Sequence, residues 1–145
     1  MSEADTPAGY PLAGGCLCRQ VRFAIARPPY SVAFCHCRLC QLAHGAPTVA
    51  WASVPRAGLE VTGEVRWHAS SAKAERGFCP VCGSSLFFRF RAATLDIDVA
   101  TACLDDPEAL PPEYHTWDAA RPRWLELADH LPRHPDDGPD GPVMG

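Results

Sequence analysis

The stretch FCPVCG (Phe78–Gly83) carries the motif from which the fold of this chain can be inferred. A CxxC pair followed by glycine is the usual form of a zinc knuckle. Its tight turn aims two thiolates at one point, and backbone N–H groups donate hydrogen bonds to the sulfurs. A structural zinc site takes four protein ligands, so Cys79 and Cys82 need partners from elsewhere in the chain. The stretch therefore predicts a fold in which a metal ties this turn to a distant segment.

A second cysteine pair, Cys16 and Cys18, lies in GGCLC (Gly14–Cys18). Side chains at positions i and i+2 of an extended strand point the same way, so both sulfurs can reach one ion. Together with Cys79 and Cys82, the pair predicts a closed four-cysteine zinc site. Such a site can contribute on the order of 10–16 kcal/mol of binding energy to the folding of a small domain. The alternative is that Cys16 and Cys18 are small buried apolar side chains.

Three further cysteines, Cys35, Cys37 and Cys40, lie in FCHCRLCQ (Phe34–Gln41). Their sulfurs can converge on one ion if a strand ends near Cys37 and a turn begins there. The candidates for a fourth protein ligand are Cys103, His36, His44 and His68. His36 lies between two ligands, so its ring should point away, and the spacing of Cys103 favours an ordinary buried thiol. Three ligands without an evident fourth are typical of an open zinc site that binds water or an external thiol.

The composition indicates a reducing compartment. The chain has 145 residues and 8 cysteines, and its first residues form neither a basic segment nor an apolar signal region. We therefore expect a cytoplasmic protein whose clustered cysteines bind metal rather than form disulfides. The formal net charge of -4 and the lack of a Lys/Arg run argue against nucleic-acid binding and against an anionic membrane surface. No apolar run approaches the length of a membrane span.

Alternating apolar residues predict a mostly β protein, organised as a single zinc-stapled domain. The predicted strands are QVRFAI, PTVAWASV, EVRWHAS, SLFFRFR and TLDIDVA. The predicted shared faces are Val21/Phe23/Ile25, Leu86/Phe88/Phe90 and Leu95/Ile97/Val99. Short helices are expected only in CRLCQLAHG and DDPEAL. Residues 1–11 are predicted to be a flexible lead-in, 12–132 the zinc-binding domain, and 133–145 a disordered tail rich in Pro, Gly and Asp.

Five segments in order resemble the successive motifs of one family. They are GGCLCRQVRF, CHCRLCQLAHGAP, ERGFCPVCGSSL, DVATACLDDPEALPPEYHTW and WLELADHLPRHP, and together they span roughly residues 12–135. The chain resembles the glutathione-dependent formaldehyde-activating enzyme family, which includes the centromere protein V group. The resemblance implies a zinc-stapled β domain similar to the Mss4-like fold.

The resemblance also implies two zinc ions and an activity. Cys16, Cys18, Cys79 and Cys82 would hold a structural zinc. Cys35, Cys37 and Cys40 would hold a catalytic zinc, whose fourth position is available to a substrate thiol or water. The implied enzyme is a carbon–sulfur lyase of the S-(hydroxymethyl)glutathione synthase type, acting on a small thiol and an aldehyde such as formaldehyde. The sequence favours no oligomeric state.

Several residues admit two interpretations. Arg76 and Arg38 are either carboxylate clamps for a substrate or cations that offset the thiolates, and offsetting is favoured for Arg76. Asp105-Asp106 precedes Pro107, which favours a turn over acid–base catalysis. The four tryptophans are expected to pack in the core or at its edges. The segment 114–117 lies outside the strand pattern and is expected to cover the zinc site, which makes His115 a speculative catalytic residue.

Two functions other than catalysis are compatible with the same cysteines. The first is a zinc-stapled module that binds a protein partner, in which protein groups close the fourth zinc position. The second is a redox sensor, in which Cys35, Cys37 and Cys40 release zinc on oxidation. An unassigned eighth thiol, Cys103, is compatible with such a sensor.

Overall fold

The structure is a computed structural model that describes residues 6–92 and 95–138. The strands are β1 (Leu12–Gly15), β2 (Arg22–Ile25), β3 (Ser31–Cys35), β4 (Val49–Pro55), β5 (Leu59–Thr62), β6 (Arg66–Ala69), β7 (Ala74–Phe78), β8 (Ser85–Phe90), β9 (Asp96–Ala100) and β10 (Tyr114–Thr116). The α-helix α1 spans Arg38–His44, and 3-10 turns span Arg56–Gly58, Thr101–Cys103 and Asp118–Ala120. The prediction of a mostly β protein is confirmed.

Two sheets make up the molecule. The smaller sheet has three antiparallel strands in the order β1-β2-β5. The larger sheet has the order β10-β3-β4-β9-β8-β7-β6, and its pairs are antiparallel except for the parallel pair of β10 and β3. β3 and β7 both belong to the larger sheet, and they lead into FCHCRLCQ and FCPVCG, respectively.

The buried apolar side chains form two clusters, and each contains a cysteine set. The first cluster includes Cys16 and Cys79 together with Phe23, Ile25 and Phe87. The second cluster contains three cysteines and the aromatic residues Trp51 and Phe88. Its buried members are Cys35, Cys37, Cys40, Val49, Trp51, Ala74, Phe88 and Ala100. Five of the seven metal-ligand candidates are therefore parts of the core, while Cys18 is exposed and Cys82 is partly buried.

The predicted face of β8 is wrong. Leu86, Phe87 and Phe88 are all buried, and Leu86 packs with Phe87 in the first cluster while Phe88 belongs to the second. The register between β7 and β8 shifts near Gly77 and Phe78, so that one extra residue of β8 interrupts the alternation. Such a bulge places consecutive side chains on one side of a strand, which a period-two pattern cannot anticipate.

The predicted strand TLDIDVA is shorter than expected. Ile97 and Val99 are buried as predicted, but β9 begins only at Asp96. Leu95 lies before the strand and is 79% exposed, so its assignment to the buried face is wrong.

The extended geometry predicted for Cys16 and Cys18 is also wrong. β1 ends at Gly15, and the chain then turns, with the Arg19 N–H donating to the Cys16 carbonyl over 3.1 Å. Arg19 has a positive φ of 69°. The turn, rather than a strand, brings the two sulfurs together, and its left-handed residue is not one of the glycines that usually signal such a conformation.

One of the two predicted helices forms. The segment CRLCQLAHG contains α1, whose amino-terminal cap is Cys37 and whose carboxyl-terminal cap is Gly45 with a φ of 60°. DDPEAL contains no helix. Instead the Asp106 carboxylate accepts a hydrogen bond from the Glu108 N–H over 3.0 Å, which confirms the turn predicted for Asp105-Asp106.

Among the described helices, none has the length and apolar character needed to cross a bilayer.

The segment 114–117, placed outside the strand pattern by the sequence, contains β10. Residues 133–138, which were predicted to be disordered, run beside this segment and form hydrogen bonds with its backbone. The His134 N–H donates to the His115 carbonyl over 2.9 Å, and the Trp117 N–H donates to the Asp136 carbonyl over 2.7 Å. Tyr10, from the predicted lead-in, packs against the first cluster. The domain boundaries stay predictions, and residues 1–5 and 139–145 lie outside the described part of the chain.

Asp98 makes the stability of the sheet dependent on pH. Burial raises the pKa of this carboxyl to about 6, although the Ser53 hydroxyl donates to it over 2.6 Å. The folded pKa lies above the unfolded value, so stability is fully present at pH 4 and falls as the pH rises through 6. We expect Asp98→Asn to raise the free energy of unfolding by about 2 kcal/mol at pH 8 and to leave it nearly unchanged at pH 4. Urea denaturation at both pH values measures this difference, and Glu60→Gln, at an exposed strand position, is the control. An equal effect at both pH values would contradict the prediction.

Candidate metal centres

The first centre, the four-cysteine cluster, contains Cys16, Cys18, Cys79 and Cys82. It joins the turn after β1 to the turn between β7 and β8, and its four sulfurs lie within 4.8 Å of one another. Cys79 is completely buried and Cys18 is exposed, so the cluster extends from the first apolar cluster to the surface. The structure thus brings together the four residues predicted from the two spacings.

Hydrogen bonds from the local backbone surround these sulfurs. The Val21 N–H donates to the Cys16 sulfur over 3.2 Å, and the Val81 N–H donates to the Cys79 sulfur over 3.4 Å. Gly83, with a φ of 81°, allows the knuckle to turn back so that its N–H meets the Cys79 carbonyl at 2.8 Å. Hydrogen bonds from the Ser84 hydroxyl and backbone lower the pKa of Cys82 to about 5. These donors favour thiolates, the form that binds a metal.

The sulfur spacing fits zinc and excludes disulfides. The Cys16–Cys18 and Cys18–Cys79 sulfurs are 3.6 Å and 3.8 Å apart. Thiolates at about 2.3 Å from a tetrahedral zinc lie about 3.8 Å from one another, whereas disulfide sulfurs lie about 2.05 Å apart. All eight cysteines are free. Four thiolate donors at this spacing could therefore hold a tetrahedral metal ion.

The second centre, the thiol triad, contains Cys35, Cys37 and Cys40. Cys35 ends β3, Cys37 caps α1, and Cys40 lies in the first turn of that helix. The Cys40 N–H donates to the Cys37 sulfur over 3.3 Å, and the Cys40 and Cys35 sulfurs are 3.5 Å apart. All three residues are at most 6% exposed. The predicted transition from strand to turn is confirmed, with the helix cap as its local cause.

The charge of the triad is concentrated on Cys37. Hydrogen bonds from the Cys35 and Cys40 thiols, the Cys40 N–H and the nearby charge of Arg76 lower its pKa to about 2, against the opposing effect of burial. The same hydrogen bonding raises the pKa of Cys35. Arg76 itself is buried, and its two terminal nitrogens lie 3.7 Å and 3.6 Å from the Cys40 sulfur. The sequence favoured Arg76 as a cation that offsets thiolates, and its position beside this sulfur agrees with that interpretation.

Apolar and aromatic groups surround the triad. Trp51 and Phe88 belong to the same buried cluster, and Trp117 packs against it. His44, one helical turn after Cys40, packs edge-on against Trp51 with ring centroids 5.2 Å apart. Burial and the charge of Arg76 lower the pKa of His44 to about 4. Within the described residues, no fourth cysteine, histidine or carboxylate joins the three sulfurs.

The other candidate ligands lie elsewhere. Cys103 is partly buried, donates to the Ser85 carbonyl over 3.5 Å and belongs to neither cysteine group. His68 is exposed on β6. Arg38 is exposed and donates to the Gln41 side chain over 3.1 Å. Asp105 pairs with Arg22 on the surface, so this carboxylate takes no part in either centre.

His36 and His115 form a buried pair that sequence reasoning missed. As its place between two ligands predicts, His36 turns away from the triad, and its Nε2 lies 2.9 Å from Nδ1 of His115. The Nε2 of His115 lies 3.0 Å from both oxygens of Asp129. Both rings are fully buried and stack against Phe34. His115 therefore belongs to β10 and this pair, whereas Trp117 of the segment 114–117, which was expected to cover the zinc site, packs against the triad cluster.

The carboxylate fixes one donor of the pair. Asp129 only accepts, so His115 donates to it from Nε2, while Nδ1 of His115 and Nε2 of His36 share the second hydrogen bond. Asp118, whose oxygen lies 3.9 Å from Nε2 of His36, is already paired with Arg121 and Arg133. The short nitrogen–nitrogen distance and these guanidinium partners favour a hydrogen-bonded chain over a metal site. No local motif links these residues, which are far apart in sequence.

Asp129 is expected to stabilise the fold through this chain. Asp129→Ala would leave the Nε2–H of the buried His115 without an acceptor and would remove the acceptor of the Leu131 N–H. We expect the free energy of unfolding to fall by about 1–3 kcal/mol, the cost of a buried unsatisfied polar group. Urea denaturation at neutral pH measures the loss. The control is Asp106→Ala, which removes one bond in a surface turn. An equally small effect of both variants would contradict the assigned hydrogen bonds.

Comparisons with known proteins identify the family of this chain. The sequence profile described as glutathione-dependent formaldehyde-activating enzyme matches residues 11–120. An uncharacterized lyase of Schizosaccharomyces pombe is 33% identical over 78 residues, which are 53% of this chain and 56% of that relative. The chain thus matches little more than half the length of that relative. A crystal structure of a Rhodobacter sphaeroides protein shares the fold, with a TM-score of 0.53 and 21% identity over 70% of this chain and 92% of that one. This chain therefore belongs to the glutathione-dependent formaldehyde-activating enzyme family.

Proposed function

We propose that the protein is a zinc-dependent carbon–sulfur lyase-type enzyme, which joins a glutathione-like thiol to a small aldehyde such as formaldehyde or reverses that reaction. The observation that carries the proposal is the difference between the two centres. One centre has four cysteines, and the other has three that no fourth ligand joins among the described residues. Zinc sites with three protein ligands are typically catalytic, because one position serves an exogenous group. The family match and the name of the S. pombe relative support a lyase.

The reaction is a simple addition. Zinc bound by the triad would lower the pKa of a thiol at its fourth position and hold it as a thiolate. The sulfur electron pair forms the carbon–sulfur bond, and the carbonyl π pair moves to oxygen. That oxygen takes up one proton, which balances the proton lost by the thiol. The reverse reaction follows the same steps backwards and regenerates the thiol and the aldehyde.

The residues of this chain would contribute position and environment. Cys35, Cys37 and Cys40 hold the metal at the amino terminus of α1, between two rigid elements of the core. The surrounding Trp51 and Phe88 exclude water, which strengthens charge interactions at the site. Because thiols add readily to formaldehyde without a catalyst, bringing the two reactants together supplies much of the expected advantage.

The burial of the triad bears on the redox alternative. Sensor cysteines are typically solvent-accessible and of low pKa. Cys35 and Cys40 are 3% and 0% exposed, and only Cys37 combines a lowered pKa with slight exposure, 6%. Two of the three cysteines therefore lack the exposure that is typical of a sensor reacting directly with peroxide.

Native mass spectrometry before and after addition of glutathione tests the proposal. We expect two zinc ions per chain and a glutathione adduct on protein purified without chelator. Exchange NMR should then show faster interconversion of formaldehyde and its glutathione adduct with the zinc-loaded protein than with buffer. One zinc ion, no adduct and no acceleration would refute the proposed function. An adduct without acceleration would instead favour a thiol-binding module.

A further inference from the structure

Arg76 is a buried cation without a carboxylate partner. It lies on β7, is 6% exposed and places its guanidinium 4.9 Å from the centre of the Phe88 ring. The ion pairs found in the described residues all involve other side chains. A buried charge is costly unless another charge balances it. The guanidinium donates to the Cys40 sulfur at 3.6 Å, which places the cation beside the thiol triad.

Among the described residues, no buried lysine or arginine lies at the four-cysteine cluster, and Arg22, whose charge acts on Cys16, is partly exposed and paired with Asp105. Its sulfurs receive hydrogen bonds from backbone N–H groups and from Ser84, and one of its cysteines is exposed to solvent. Charge at that centre is therefore partly screened by water. The triad has no such screening, because its three cysteines and their apolar neighbours are buried. A fixed cation is thus present at the centre where net charge is most costly.

The charge of Arg76 affects anionic and neutral fourth ligands differently. Three thiolates and one zinc ion would carry one net negative charge, which Arg76 offsets. A neutral ligand would leave that balance unchanged and would gain little from the cation. A thiolate would leave one net negative charge in the apolar cluster with Arg76 and two without it, so the loss of Arg76 would weaken the binding of an anionic ligand more than that of a neutral one.

Two unsatisfied hydrogen-bond donors at the triad cluster also indicate that it binds an acceptor. Nε of Arg76 and Nε1 of Trp117 are buried and have no hydrogen-bond partner among the described residues. Trp117 packs against the triad cluster and has a left-handed φ of 52°, a conformation that strains a bulky residue. Both orphan groups are N–H donors, which an incoming sulfur or oxygen acceptor can satisfy.

We infer that Arg76 is the residue that makes the triad selective for anionic ligands, thiolates above all, over neutral ones. The inference rests on the proposed function and adds a ligand class to it. Arg76 would act through its charge and through donation beside the Cys40 sulfur. Both interpretations of Arg76, as a clamp for the substrate and as a cation that offsets the thiolates, then apply. The same cation offsets the charge of the bound ligand and the charge of the three cysteine thiolates.

Ligand titration of the cobalt-substituted protein tests the inference. The probes are glutathione and azide as anionic ligands and imidazole as a neutral one, followed through the cobalt absorption bands, with metal counted by native mass spectrometry. We expect Arg76→Gln to keep both metals, to weaken glutathione and azide binding on the order of tenfold or more, and to leave imidazole affinity unchanged. Arg76→Lys should retain most of the anion affinity. Arg38→Gln, at an exposed arginine of the same cysteine motif, should change neither.

The outcomes separate the inference from the proposed function. If the wild-type protein binds no thiol, both fail. If it binds thiol and Arg76→Gln binds thiol equally well, only the inference fails. Equal losses of anionic and neutral ligands would show that Arg76 merely supports the site, which also overturns the inference. If Arg76→Gln does not fold, the affinities of the wild-type protein for azide and imidazole test the inference. Equal affinities would contradict it, because the triad would then show no selectivity for anionic ligands.

Discussion

Replacing Cys79 with alanine is expected to prevent the chain from folding. Cys79 is fully buried, and its sulfur lies 3.8 Å from that of Cys18 across the two turns that the four-cysteine cluster joins. Structural zinc contributes on the order of 10–16 kcal/mol to small domains, while their net stability is about 5–15 kcal/mol. Loss of one ligand therefore removes an amount comparable to the whole stability. Near-UV circular dichroism and dispersed amide resonances, recorded with the zinc content, measure the outcome.

The matched control for this change is Cys103→Ala. Cys103, like Cys79, is a thiol that packs in the first cluster, but it is only partly buried and lies outside both cysteine groups. We expect this variant to fold and to lose about 1 kcal/mol, through one weak hydrogen bond and a small cavity. If Cys79→Ala unfolds cooperatively with a stability close to that of Cys103→Ala, the four-cysteine cluster is not a staple, and the first cluster must hold the fold without it.

Replacing Cys37 with serine is expected to abolish thiol binding while the fold remains. Serine keeps an acceptor for the Cys40 N–H at the helix cap but supplies no thiolate to the metal. We expect one zinc ion instead of two and no glutathione adduct. The rate of adduct formation should fall at least about a hundredfold, the upper end of the loss seen when even an outer-shell group is removed.

Two further variants make this result specific. Cys37→Ala removes the cap as well as the thiolate, so it should match Cys37→Ser in metal content but lie about 1 kcal/mol lower in stability. Leu39→Ala changes an exposed neighbour in the same turn and should leave zinc, adduct and rate unchanged. A Cys37→Ser protein that keeps two zinc ions and full activity would refute the role assigned to the triad.

The cysteine sets were predictable from sequence because their geometry is local. Cys79 and Cys82 share one knuckle, and Cys37 and Cys40 share one helix cap, so the spacing alone places each pair at one point. The pairing of Cys16 with Cys79 followed from counting ligands. The conformation of the turn at Cys16 could not be predicted, because its left-handed residue is Arg19 and arginine is not a residue type that favours a positive φ.

The remainder of the site depends on contacts between distant residues. β10 has three residues and gains its ladder from β3 and from residues 133–138, so its own alternation carries almost no signal. The chain of Asp129, His115 and His36 joins three segments that no motif relates. Likewise, a bulge against β7 places Leu86 and Phe87 in one apolar cluster, while Phe88 packs in the other. In each case tertiary packing, which a single sequence shows poorly, decides the outcome.

The parallel pairing of β10 with β3 has a consequence for the order in which the protein matures. A chain leaving the ribosome presents Cys35, Cys37 and Cys40 long before β7 delivers Arg76, and longer still before β10 and Asp129 arrive behind His36. Domains acquire structure progressively during synthesis. The nascent triad is thus a water-exposed set of thiols, and the segments translated later, from β7 to Asp129, enclose it and place Arg76 beside it.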